Sequence, residues 1–171
     1  MTNPTDPIDP EALRALNAAL ADGRQSDPAR AIARGVGRML RRLGNAHIAE
    51  LSLANGRRAD MVSLTPKGDI WIIEIKSSLE DFRADQKWPE YWDYADCVLF
   101  AVAPDFPTAI LPAQTGLILA DRYGGEIIRM PERQPLAPAR RRSMQLSFAR
   151  AAALRLAYAL DPGVALQNKL D

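Results

Sequence analysis

The chain has 171 residues, 47% hydrophobic and 25% charged, with a formal net charge of +1. These are ordinary values for one globular domain with a proper core, and they exclude a low-complexity or strongly charged disordered chain. A single cysteine, Cys97, excludes an internal disulfide, and no run approaches the ~18 apolar residues of a membrane span. The start, Met1 to Pro7, has no basic opening and no apolar stretch, so it does not read as a signal peptide. The expectation is a cytoplasmic protein with no membrane partner.

Residues 1–8, rich in Pro and Asp, read as a loose tail, and 9–171 as one domain. Asp9-Pro10-Glu11 caps a short helix that runs to about Ala21. Asp27-Pro28 starts a second helix, reaching Leu43, with Ile32, Val36, Met39, Leu40 and Leu43 as its core stripe. Arg30, Arg34, Arg38 and Arg41 fall on its opposite side. Between residues 24 and 58 there are eight Arg, no Lys, and only Asp27 and Glu50 as acids. Ordinary i,i+4 salt pairing is therefore not available to that stripe. It suits phosphate contact, or else is a solvated face of a chain with 18 Arg against 4 Lys.

His47 to Leu53 reads as a first strand, and 58–64 and 70–77 as a hairpin. Ser77-Ser78-Leu79-Glu80-Asp81 starts a helix that carries on to about Lys87. Trp88-Pro89 restarts the chain into a short helix over Glu90 to Ala95. Cys97–Val102 is a continuous apolar run, as in a buried strand. Leu117–Ala120 and Glu126–Arg129 flank Tyr123-Gly124-Gly125 as another hairpin, and a last helix spans about Ala139 to Ala159. That helix is expected to pack Leu146, Ala149, Ala153, Leu156 and Leu160. The fold class is mixed α/β, a central mixed sheet flanked by helices.

The chemistry concentrates in the hairpin. Pro66-Lys67-Gly68 fits a three-residue loop with Gly at the left-handed position, pairing Thr65 with Asp69. Counting outward sets 64 against 70, 62 against 72, and Asp60 directly across from Glu74. Like charges so placed destabilise a sheet unless something neutralises them. The two-residue strand period puts Lys76 on the face of Glu74. A hard cation such as Mg²⁺, with Mn²⁺ as its substitute, suits the carboxylate pair. The alternative is a structural ion-pair network at the hairpin end.

Asp60, thirteen intervening residues, then Glu74-Ile75-Lys76 resembles the PD-(D/E)xK nuclease signature, with Ala59 where the signature has Pro. The strings from Glu50 to Asp60, Asp81 to Pro89, Phe100 to Pro107 and Gly116 to Asp121 resemble the MmcB-related family of bacterial DNA repair proteins. The likeness covers about residues 28–158 and implies a restriction-endonuclease-like core, with DNA and other repair proteins as partners. It also implies the Ile75 carbonyl as a further metal ligand. Lys76 would orient or deprotonate an attacking water and offset phosphate charge. Glu50, on the neighbouring strand, is the candidate third carboxylate, or else a solvent-facing acid. Arg57 and Arg58 flank the acids and suit phosphate binding. Lys87, beside Asp85 and Gln86, suits a DNA contact. His47 and Cys97 read as structural, and Trp71, Trp88, Trp92, Tyr91 and Tyr94 as core and core margin. Two functions follow: a Mg²⁺-dependent DNA nuclease in repair, or a catalytically silent DNA-binding or adaptor protein on the same fold.

Overall fold

The computed structural model describes residues 26–161. The chain divides into two compact units, Ser26–Phe148 on the one hand and Met1–Gln25 with Ala149–Asp171 on the other. The tail expected over 1–8 and the helix expected over 9–21 lie outside the described residues. In the unit Ser26–Phe148 the elements run α1 (Asp27–Arg42), β1 (Ala46–Ser52), β2 (Arg58–Leu64), β3 (Ile70–Lys76), α2 (Leu79–Ala84), a 3-10 segment Trp88–Asp93, β4 (Cys97–Val102), β5 (Gly116–Ala120) and β6 (Gly125–Arg129). The helix α3 (Pro138–Leu160) starts in this unit and ends in the other. Among the described residues no helix is long and apolar enough to cross a membrane.

Six strands form one sheet in sequence order. The β1–β2, β2–β3 and β5–β6 pairs are antiparallel, and β3–β4 and β4–β5 are parallel. This is the mixed sheet with flanking helices that the sequence predicts. The hairpin count also holds where the ladder is formed, with Leu64 against Ile70 and Val62 against Ile72. Gly68 takes the left-handed turn position at φ 86°, and Thr65 N–H donates to the Asp69 carbonyl at 2.9 Å.

Two apolar layers fix which face is which. On one face Ile32, Val36, Met39 and Leu40 of α1 pack with Met61, Ile73, Ile75, Leu99, Ala101 and Ile118. On the other, Phe100, Val102, Phe106, Leu111 and Leu117 form a second cluster, margined by Phe82 and Trp88. Phe82 and Trp88 both meet Phe100 edge-on, with centroids at 5.5 and 5.9 Å. Glu74 is paired with Phe100 and Lys76 with Val102. The period of the strand therefore sends both charges to the second face, away from α1. The helix α1 lies so close to the β5–β6 turn that a Cβ on Gly35 would stand 1.9 Å from the Asp121 carbonyl oxygen.

Three elements depart from expectation. The helix after β3 stops at Ala84 rather than Lys87, because Asp85 turns to extended backbone (φ −102°, ψ 94°) and caps the Lys87 N–H. The segment after Trp88-Pro89 is a 3-10 helix. In α3, Leu146 is exposed and Met144 and Phe148 are buried. The helix is rotated by Arg141, whose Nη1 donates to the Gly68 carbonyl at 2.9 Å and whose Nη2 meets Asp96 Oδ1 at 2.5 Å. Leu156 and Leu160 are exposed as well.

Asp96 has no exposed surface, and its carboxylate also accepts the N–H groups of Ile70 and Leu136. Burial alone would raise its pKa, but Arg141 and these donors hold it below the ordinary value. The residue thus ties the β3 start, the 131–137 connection and α3 together. Arg141→Ala would leave the buried carboxylate with two backbone N–H donors and only the more distant Arg133, at 3.7 Å, as a cation, and is expected to cost about 3 kcal/mol. Urea unfolding measures it, and an unchanged midpoint would refute the assignment.

A candidate metal centre on the second face of the sheet

Asp60 and Glu74 meet where the β2–β3 ladder stops. The last paired residues are Met61 and Ile73, and beyond them side chains replace the backbone bonds. Asp60 N–H donates to Glu74 Oε1 at 3.2 Å, and Ile75 N–H donates to Asp60 Oδ2 at 2.9 Å. Each acid thus holds the other's strand. Neither bond requires a third partner, so the two carboxylates are brought together by the hairpin itself.

Lys76 closes the group. Its Nζ donates to Asp85 Oδ2 at 2.6 Å and lies 3.7 Å from Glu74 Oε2. Glu74 is 3% exposed and Lys76 4%, while Asp60 is half-buried. Charges rarely go inside without compensation, because desolvation is costly. Here the compensation is incomplete. Burial first, and then the Asp60 charge, push the Glu74 carboxyl up to about 8. Burial likewise raises Asp60, against the Ile75 N–H and Lys76, which favour its charge. Lys76 feels the opposite balance. Burial lowers its pKa, but Asp85 and Glu74 outweigh that and raise it, so it stays an ammonium.

The acids fit a hard divalent cation by the chemistry of their donors. Each spends one oxygen on a backbone N–H, and together they carry more negative charge than the site can hold unprotonated. A hard cation would neutralise such a dyad. Among the described residues no group of three or more His, Cys, Asp or Glu side chains is placed to hold a metal ion. Mg²⁺ does not need one, since it keeps several waters and takes one or two carboxylates plus phosphate oxygens.

The other expected residues are placed less centrally. Glu50 stands opposite Asp60 by register, between the pairs Ala49–Met61 and Leu51–Ala59. It takes left-handed backbone, φ 52°, and its carboxylate ion-pairs with Arg58 Nη1 at 3.5 Å. Arg57 makes a two-pronged pair with Glu90, at 2.5 Å for each bond. Lys87 is exposed in the connection after α2, not on the helix. Arg34 and Arg38 lie on α1, which covers the first face of the sheet. The structure therefore does not bring them to the acids. The sheet stands between, a consequence of strand parity that no local reading of α1 reveals.

Two neighbours were given no part in the site by sequence reasoning, which read Tyr91 as core or core margin. Asp85 anchors Lys76, and its nearness follows only from the early end of α2. Tyr91 is buried, its hydroxyl donates to the Arg58 carbonyl at 3.4 Å, and burial followed by the Glu74 charge raises its pKa. Its pairing with the dyad spans 17 residues of chain, and an aromatic in a Trp- and Tyr-rich segment carries no sequence signal for it. His47 is structural as expected. Burial lowers its pKa, and its ring fills the space beside Gly37.

A family model described as "DNA repair protein MmcB-like" matches residues 16–163. The chain belongs to the MmcB-like family of DNA repair proteins. No curated protein matches the chain. A solved structure of a protein of unknown function from Silicibacter pomeroyi is similar to this MmcB-like chain, with 45% identity and a TM-score of 0.80. The match covers 84% of this chain and 99% of that one. A DNA repair role follows from the family.

Proposed function

We propose that this MmcB-like protein is a metal-dependent nuclease that hydrolyses phosphodiester bonds of DNA. One observation carries the reading: two carboxylates are held across a hairpin end, over-charged for their surroundings, with a buried ammonium beside them. Asp60 and Glu74 would hold Mg²⁺ or Mn²⁺, with the Ile75 carbonyl as a further ligand. When bound, the cation supplies Lewis-acid polarisation of the phosphate and a lowered pKa for its water.

The chain's own groups do the rest. Lys76 stays protonated, so it orients water and offsets phosphate charge rather than removing a proton. Asp85 fixes the ammonium in place with a charge-assisted bond of 2.6 Å. Arg58, two residues before Asp60 on β2, and the exposed Lys87 would contact the DNA backbone.

A cation-free alternative is favoured by Lys76, whose ammonium 3.7 Å from Glu74 already partly neutralises the dyad. On that reading the protein is a silent DNA-binding adaptor in repair. Incubating the full chain with single-stranded, duplex and branched DNAs under Mg²⁺ or Mn²⁺ separates the two. Divalent-dependent cleavage of at least one substrate is expected. No cleavage of any form, with the chain folded and binding DNA, decides for the adaptor.

A further inference from the structure

We propose that an open depression on the α1 side of the sheet is a second nucleic-acid site, which holds a single-stranded segment apart from the acid dyad. It is lined by Arg38, Arg41, Arg42 and Tyr123. Arg38 is pinned there: its Nη1 donates to the carbonyls of Arg122 at 3.0 Å and Tyr123 at 3.2 Å. Among the described residues none of these three guanidiniums has an acidic partner; the arginine ion pairs run through Arg30, Arg57, Arg58, Arg133 and Arg141. The acid in the adjoining turn, Asp121, is committed to the N–H groups of Tyr123 at 2.7 Å and Gly124 at 3.1 Å.

Arg41 and Arg42 alone would be ordinary, since cations complement the C-terminal end of a helix. That does not account for Arg38, one turn earlier and fixed to another element. It does not account for Tyr123 either, whose ring is 68% exposed at the tip of the β5–β6 turn. Unpaired cations beside an exposed aromatic face are the usual means of holding single strands, through phosphate contacts and base stacking. Asp60, Glu74 and Lys76 face the opposite side of the sheet. A DNA that reaches both places therefore offers two segments, as a branch or an overhang does. The inference rests on the DNA-directed part of the reading above and not on cleavage.

The test is fluorescence anisotropy of a short labelled single-stranded oligonucleotide, titrated with the full chain at several salt concentrations. Each lost phosphate contact lowers the salt slope by about 0.7, so R41A/R42A is expected to lower it by about 1.4. Tyr123→Ala is expected to weaken binding on the order of tenfold without changing the slope. Thermal melts confirm that each exposed substitution leaves the fold intact. Unchanged affinity in either R41A/R42A or Tyr123→Ala overturns the proposal, as does a wild-type chain that fails to bind the oligonucleotide. Cleavage without these losses sinks this site alone; these losses without cleavage sink the nuclease alone.

Discussion

Lys76→Met is expected to reduce divalent-dependent DNA cleavage by about 10²–10³-fold, the usual cost of removing one preorganised charge from a developing phosphorane. Met, unbranched and one atom shorter, keeps most of the packing of the buried side chain, so the loss reads mainly on charge. DNA affinity should change little, because only the ammonium at the acids is removed. Asp60→Asn should abolish cleavage through loss of the cation, and isothermal titration with Mn²⁺ should show no binding. Asp85→Asn is the informative third variant. It breaks the 2.6 Å bond that fixes Lys76 but leaves both acids and the ammonium in place. An intermediate loss of rate with unchanged Mn²⁺ affinity would assign Asp85 a positioning role. Wild-type rates in Lys76→Met would remove Lys76 from the chemistry.

The stability of the metal-free protein should fall as pH rises, and Glu74 is the reason. Its pKa is 4.5 ordinarily and about 8 in the fold. Below 4.5 the carboxyl is protonated folded and unfolded, and contributes nothing to the difference. Between 4.5 and about 8 the unfolded chain has released the proton and the folded chain keeps it. The folded state then binds more protons, so stability declines through this window. Above it the full cost is present, on the order of 5 kcal/mol at about 1.4 kcal/mol per unit. Asp60, raised in the same direction, titrates with Glu74 as a dyad and adds to the slope.

His47 gives the opposite slope below its ordinary 6.5, since burial lowers its pKa. The clean measurement is therefore the difference in urea stability between wild type and Glu74→Gln. Gln keeps an oxygen for the Asp60 N–H and carries no charge. That difference should grow from pH 5 to pH 8 in favour of the variant. Mg²⁺ should stabilise wild type more at pH 8 than at pH 5, because the cation competes with the proton for the same oxygens. A difference that is flat with pH would show that the two acids do not share the environment described.

The sequence by itself determined the hairpin and the face its charged residues share. Gly68 and the three-residue loop set the register, and a period of two then placed Asp60, Glu74 and Lys76 on one face. Such information is local, because a strand pair joined by a tight turn has its contacts written within some fifteen residues. The apolar stripe of α1, the run Cys97–Val102 and the second hairpin were legible for the same reason.

What lay across the sheet from the site was decided only by tertiary structure. The Arg stripe of α1 and the acids are close in sequence, yet the helix packs on Ile73 and Ile75 while the acids point the other way. Which face a helix covers depends on how the whole sheet buries its two sides. The partner of Lys76 was equally hidden. Asp85 reaches it because α2 ends at Ala84, where Asp85 leaves helical backbone and caps the Lys87 N–H. The orientation of α3 followed Asp96 and Arg141, 45 residues apart, whose pairing a one-dimensional pattern cannot carry.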